Sequence, residues 1–146
     1  TLQGTTQMEK TYYLIKGQLN VKPETLWRVL LDKVDNPQKY VPSASNVSFD
    51  KVDEHNTLRT MNRGTSVVKE FITIDQDKKE TIFKLRDHVN YEGTITSRVE
   101  NMNSLDTNSC YLVYELNWKL KPGGEEDTEI FNWLSQAFTK TVAHCV

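Results

Sequence analysis

Between Asn46 and Leu120 apolar residues recur with a period of two, and clusters of Asp, Asn, Gly and Lys interrupt them about every ten positions. This rhythm predicts six strands: Val47–Val52, Thr57–Arg63, Ser66–Ile74, Glu80–Arg86, Tyr91–Glu100 and Ser109–Lys121. Such short connections between successive strands imply an antiparallel meander. In the last strand Cys110, Leu112, Tyr114, Leu116, Trp118 and Leu120 face one way, and Tyr111, Val113, Glu115, Asn117 and Lys119 the other. A strand that long must bend to stay paired, so the sheet has a concave face that something must cover.

The C-terminal stretch Glu125–Val146 supplies the cover. Ile130, Leu134, Phe138, Val142 and Cys145, flanked by Ala137, Phe131 and Trp133, recur at helical spacing. Pro122, Gly123 and Gly124 end the preceding strand. Glu125, Glu126, Asp127 and Glu129 are expected in the first helical turn, where carboxylates suit the positive end of the helix dipole, with Lys140 and His144 near the other end. One helix does not fill the hollow of a strongly bent sheet, so its stripe is expected to wall a cavity.

Upstream, Thr1–Glu9 reads as a flexible start and Lys10–Val21 as an alternating strand. Pro23 suits the first helical position and Glu24 the first turn, and Leu26, Trp27, Val29, Leu30, Leu31 and Val34 continue at helical spacing. Pro23–Val34 is therefore a predicted helix. Asn36, Pro37 and Pro42 leave room for one short helical turn at Gln38–Val41. The sum is a single α+β domain over 10–146: a seven-stranded curved antiparallel sheet wrapped around a long C-terminal helix, with two short helices between strands one and two.

Composition narrows the function classes. The chain has 146 residues, 26% charged, with a net charge of -2, which argues against a nucleic-acid surface. No apolar run approaches the roughly 18 residues of a membrane span, and Thr1–Glu9 is too polar for a signal peptide. Cys110 and Cys145 fall inside a strand and a helix without metal-ligand spacing, so they are expected as buried free thiols, which favours a reducing, cytoplasmic setting. The triplet Asn46-Val47-Ser48 fits a glycosylation acceptor, a pattern common by chance. His55, His88 and His144 form no metal pair and are expected at the surface, no nucleophile motif frames a serine, and no cofactor motif is found.

The order of elements over Lys10–Val146 resembles the helix-grip fold of the START, polyketide-cyclase and major birch pollen allergen (SRPBCC) superfamily. The segment Val21-Lys22-Pro23-Glu24-Thr25-Leu26-Trp27-Arg28-Val29-Leu30 is similar to that superfamily's passage from strand to helix. Tyr40-Val41-Pro42-Ser43 is similar to its exit from the second helix. Val67-Val68-Lys69-Glu70-Phe71-Ile72-Thr73 is similar to the AtaL-like proteins. The resemblance implies a hydrophobic cavity between sheet and helix, open at one end, which in various members holds lipids, sterols, polyketides or plant hormones. Plant allergen relatives carry a glycine-rich loop where this chain has Asp53-Glu54-His55-Asn56, which argues against the plant hormone and alkaloid branch.

Glu70 shares a face with Val68, Ile72 and Ile74, so the alternation that buries those three turns its carboxylate inward. Arg59 or Arg63 could pair with it, although Leu58, Thr60 and Asn62 compete with Arg59, Met61 and Arg63 for the inner face. Glu70 is then either half of a buried ion pair or a general base. Tyr13, Met61, Ile72, Leu85, Tyr91, Ile95, Tyr114, Trp118, Leu134 and Phe138 are the expected lining of a ligand cavity. The expected function is binding or transport of a hydrophobic small molecule there. The alternative is a cyclase or isomerase using Glu70 as the base.

Overall fold

The computed structural model describes residues 10–41, 43–54, 56–102 and 107–145. The expected flexible start at Thr1–Glu9, the interrupting Pro42, the expected surface His55 and the last helical residue Val146 lie outside the described residues. In chain order the elements are β1 (Lys10–Leu19), α1 (Pro23–Asp35), a 3₁₀ turn (Pro37–Lys39), β2 (Ala44–Lys51), β3 (Asn56–Arg63), β4 (Ser66–Asp75), β5 (Glu80–Arg86), β6 (Tyr91–Asn101), β7 (Cys110–Leu120) and α2 (Ile130–His144). The seven strands form one antiparallel sheet in the order β1-β7-β6-β5-β4-β3-β2, a meander whose first strand closes against its last. The sheet is curved, as its long last strand requires.

Ladder partners share a face, so one row of side chains runs across the concave surface: Thr57, Ile72, Phe83, Ile95, Leu116 and Tyr13. The ambiguity over β3 resolves the same way, because Arg59 pairs with Glu70 and Met61 with Val68, and all four are buried. At the bend Gly93 lies opposite Trp118 with φ of 135°, and a Cβ there would meet the Asn117 carbonyl oxygen at 2.2 Å. No L side chain fits that approach.

Two helices cover the concave face. The buried side of α1 carries Leu26, Trp27, Leu30, Lys33 and Val34, and the Trp27 indole N–H donates to Gln76 Oε1 at 2.9 Å. Pro37 opens the second helix, which is a 3₁₀ turn, after which the Tyr40 hydroxyl donates to Asp32 at 2.7 Å and its ring packs 4.6 Å from His144. That contact joins the end of α1 to the end of α2. On α2, Ile130, Leu134, Ala137 and Thr141 are buried; an Ile or Leu so placed contributes roughly 1.5–3 kcal/mol. Thr141 is the polar exception on the stripe: its hydroxyl donates to the Ala137 carbonyl and bonds the buried Tyr114 hydroxyl. Cys110 and Cys145 are buried free thiols.

The C-terminal helix begins at Ile130, not at Glu125, so the acidic cluster is not in its first turn. The backbone N–H groups that would start an earlier helix are taken by other acceptors. Glu125 N–H donates to Asn90 Oδ1 at 2.9 Å, Asp127 N–H to the Tyr91 hydroxyl at 2.8 Å, and Glu129 N–H to Asp127 Oδ1 at 2.8 Å. Residues 121–129 therefore run as a strap across the end of β6 and β7. Among the described residues no helix is long and apolar enough to cross a membrane.

Candidate ligand-binding site

The strap creates a pocket at the open end of the sheet. Lys121 N–H donates to the Asn90 carbonyl at 2.7 Å, and Gly124 sits so close that a Cβ would lie 2.7 Å from the same oxygen. Only glycine lets the strap lie this low. Between the strap, the β3–β4 turn and the β5–β6 connection lies a space of about 330 Å³, lined by Ser43, Arg63, Ser66, Val68, His88, Asn90, Tyr91, Trp118 and Trp133, with Glu125, Glu126, Asp127 and Glu129 along its rim.

Part of its wall is one contiguous cluster of tilted aromatic rings. Trp118 lies 5.1 Å from Tyr91 and 5.6 Å from Trp133, centroid to centroid, and the Arg63 guanidinium stacks 4.5 Å above the Trp133 ring. Two of the pocket's proton acceptors, His88 and Asp127, are occupied. His88 Nδ1 accepts the backbone N–H groups of Asn90 at 3.1 Å and Tyr91 at 3.0 Å, which leaves the ring proton on Nε2. Burial, with Lys121 and Arg63 nearby, also holds the imidazole below its usual range. Asp127 accepts from the Trp133 indole at 3.1 Å. The donors are idle: Trp118 Nε1 and Arg63 Nε are buried without a hydrogen-bond partner. A buried N–H left so is costly, and a ligand oxygen would satisfy it.

Deeper in, a chamber of about 50 Å³ lies between α1 and the sheet, lined by Lys33, Pro37, Val41, Arg59, Met61, Arg63, Glu70, Phe83 and Ile95. Arg59 donates to Glu70 Oε1 at 2.8 Å and to the Val34 carbonyl at 2.9 Å, so the expected inward carboxylate is one half of a buried ion pair. Lys33 Nζ stands 4.5 Å from the Tyr114 ring and 5.0 Å from the Phe83 ring. Burial above all, and Arg59 second, push this ammonium down to about 7, against the opposing pull of Glu70.

The expected lining residues are thus divided. Tyr91 and Trp118 wall the open pocket, and Met61, Glu70 and Ile95 wall the inner chamber. Ile72 borders a third space of about 310 Å³ beside the end of α1, and Tyr13 packs 5.4 Å from Phe131 at the strap's far side. Leu85, Tyr114 and Leu134 are buried in the main core, with Phe138 packed against it, and border none of these three spaces. At the centre α2 packs into the apolar core, and the chamber between α1 and the sheet is small, with Lys33, Arg59, Arg63 and Glu70 set among apolar residues.

Sequence reasoning passed over Lys33, and the signal was present. Lys33 lies seven positions after Leu26 and three after Leu30, on the apolar stripe itself. His88 was expected at the surface but is half-buried in the pocket wall, where Nδ1 accepts the Asn90 and Tyr91 N–H groups and the ring lies 6.1 Å from Trp118. Among the described residues no cluster of His, Cys, Asp and Glu could hold a metal.

No described protein family matches the sequence, and no curated protein does. Solved structures match the fold. Norcoclaurine synthase from Thalictrum flavum superposes with a TM-score of 0.71 at 11% identity, covering 95% of this chain and 95% of that one. The same synthase in complex with dopamine and hydroxybenzaldehyde gives 0.68 at 12% identity, covering 98% and 94%. The Zhui aromatase/cyclase from a Streptomyces species gives 0.70 at 9% identity, covering 94% and 92%. At these identities the likeness concerns the fold, and the seven-stranded grip around α2 agrees with it element by element. The chain has the helix-grip fold.

Proposed function

We propose that the protein binds a small aromatic molecule in the open pocket, its ring held among Tyr91, Trp118 and Trp133 and an oxygen of the ligand accepting from the idle donors. The observation that carries this reading is the pairing of a contiguous aromatic wall with a buried Trp118 N–H that has no partner among the described residues. A volume of about 330 Å³ is near the lower end for ligand pockets, which suits one or two fused rings better than a sterol or a long acyl chain. Binding is favoured over turnover because three groups that could take a proton are engaged, Glu70 by Arg59, His88 Nδ1 by two backbone N–H groups and Asp127 by Trp133, while Lys33 stands outside the open pocket and Glu125 and Glu126 on its exposed rim. The solved neighbours bear on the same choice, one by its aromatic ligands and the other by its name as an aromatase/cyclase.

Tryptophan fluorescence titration with 4-hydroxybenzaldehyde, dopamine and 2-naphthol tests the reading. Saturable quenching by at least one, abolished when Val68→Trp fills the pocket, is the expected result. Absence of saturable quenching by all three overturns it. For the cyclase alternative, Glu70→Gln separates the roles: a change in unfolding midpoint with ligand affinity intact is expected of a structural ion pair, whereas loss of turnover at unchanged stability would restore the general base.

A further inference from the structure

The inner chamber carries a charge imbalance that the fold does not resolve. Lys33, Arg59 and Arg63 converge on it from α1 and β3, and Glu70 on β4 is the one carboxylate among its lining residues. Arg59 and Glu70 neutralise each other at 2.8 Å. That leaves Lys33 and Arg63 with ring contacts and no ion pair among the described residues. Two further donors that border the chamber, Arg59 Nε and Arg63 Nε, are buried without partners. Lys33 is buried, whereas Arg63 is half-buried with Glu70 and Asp127 as the carboxylates acting on it; a buried cation without an ion pair is costly, and so are buried N–H groups without acceptors. One group relieves both: a small anion with two acceptor oxygens. About 50 Å³ admits a carboxylate, being the share of one or two water molecules.

We propose that this chamber is a carboxylate subsite, so that the ligand is an aromatic monocarboxylic acid whose acid group reaches past Arg63 while its ring stays in the open pocket. This rests on the aromatic-binding reading above, and Arg63 joins the two because it borders both spaces. The carboxylate accepts from Arg59 Nε and Arg63 Nε and stands against the Lys33 ammonium. The groups facing Lys33 are Arg59 and Arg63 from β3, Glu70 from β4 and the Tyr114 ring from β7. The remaining anionic groups, Glu125, Glu126, Asp127 and Glu129, are exposed on the rim, where salt screens them as it does not screen the buried cations.

Calorimetric titration of the chain with cinnamate and with its uncharged amide, at about pH 6.5 and low chloride, tests the subsite in the natural protein and in Lys33→Met. Cinnamate is expected to bind about tenfold or more tightly than the amide, with Lys33→Met removing the difference and leaving amide binding in place. Equal affinity for the two compounds overturns the carboxylate subsite while the aromatic pocket stands. Binding of neither overturns both. A cinnamate preference that survives Lys33→Met places the acid group elsewhere and also overturns it. Chloride is the competing source of charge: if chloride alone raises the unfolding temperature, depends on Lys33 and is not displaced by cinnamate, the chamber holds a free ion and the proposal falls. A circular-dichroism melt of Lys33→Met shows that the variant is folded.

Discussion

The open pocket and the inner chamber are built from the same concave face and share Arg63, yet they differ in size and in lining. The pocket is wide and aromatic, and its polar groups are fixed mainly by backbone N–H groups: those of Asn90 and Tyr91 on His88 and that of Asp127 on the Tyr91 hydroxyl. The chamber is small and holds several charges, and Arg59 within it is fixed by the Glu70 carboxylate on β4 and the Val34 backbone carbonyl on α1. The contrast teaches that a bent sheet under a helix does not dictate one continuous hollow. Where α1 brings a lysine against Arg59 and Glu70, charge solvation governs the interior; where the strap stands off the sheet, aromatic area governs it.

The largest expected effect comes from breaking the inner ion pair. Glu70→Leu leaves Arg59 buried without its counter-charge and should lower stability by about 3–5 kcal/mol in urea unfolding, with Arg59→Met in addition recovering much of the loss. If the single variant unfolds at the natural midpoint, the chamber is wetter and less demanding than its burial indicates. On the pocket side, Trp118→Ala should cost about 3–5 kcal/mol as well, through a cavity and not through charge, so added salt should leave its deficit unchanged.

A pH titration sharpens the comparison further. The Lys33 ammonium is depressed from 10.5 to about 7, so above that value the unfolded chain binds the proton and the folded chain does not. Stability should therefore rise with pH, by about 2 kcal/mol between roughly pH 7 and pH 9 from this group. Below pH 7 both states are protonated and the slope from Lys33 vanishes. The Cys145 thiol, pushed up by burial to about 11, acts in the opposite direction above its usual value of 9.0, which sets the upper limit of the window. Lys33→Met should flatten the profile across that window, and an unchanged slope would show that another group carries it. The smallest effect expected is that of Tyr40→Phe, which removes one hydrogen bond to Asp32 and should lower the midpoint by the equivalent of about 1 kcal/mol, without altering either cavity.

Most of the fold was legible because each strand carries its own evidence. β5 is found at Glu80–Arg86 as the alternation reads, and the other strands agree to within three residues at either end. The strap was not legible, since residues 125–129 have the composition of a helical first turn and are diverted by Asn90 and Tyr91, some 35 positions earlier in the chain. Lys33 was missed for a related reason. A cation on an apolar stripe can extend its charge to water, and only the placement of Phe83, Tyr114 and Arg59 around it closes that route.

The sequence by itself determined the period of each element, the inward turn of Glu70 and the need for a helix over a bent sheet, because these follow from side-chain spacing along a few neighbouring residues. Which arginine pairs with Glu70, where α2 begins and how the hollow is partitioned were decided by the tertiary structure. Those outcomes depend on which distant donors and acceptors arrive within about 3 Å of one another, and no local pattern encodes that distance.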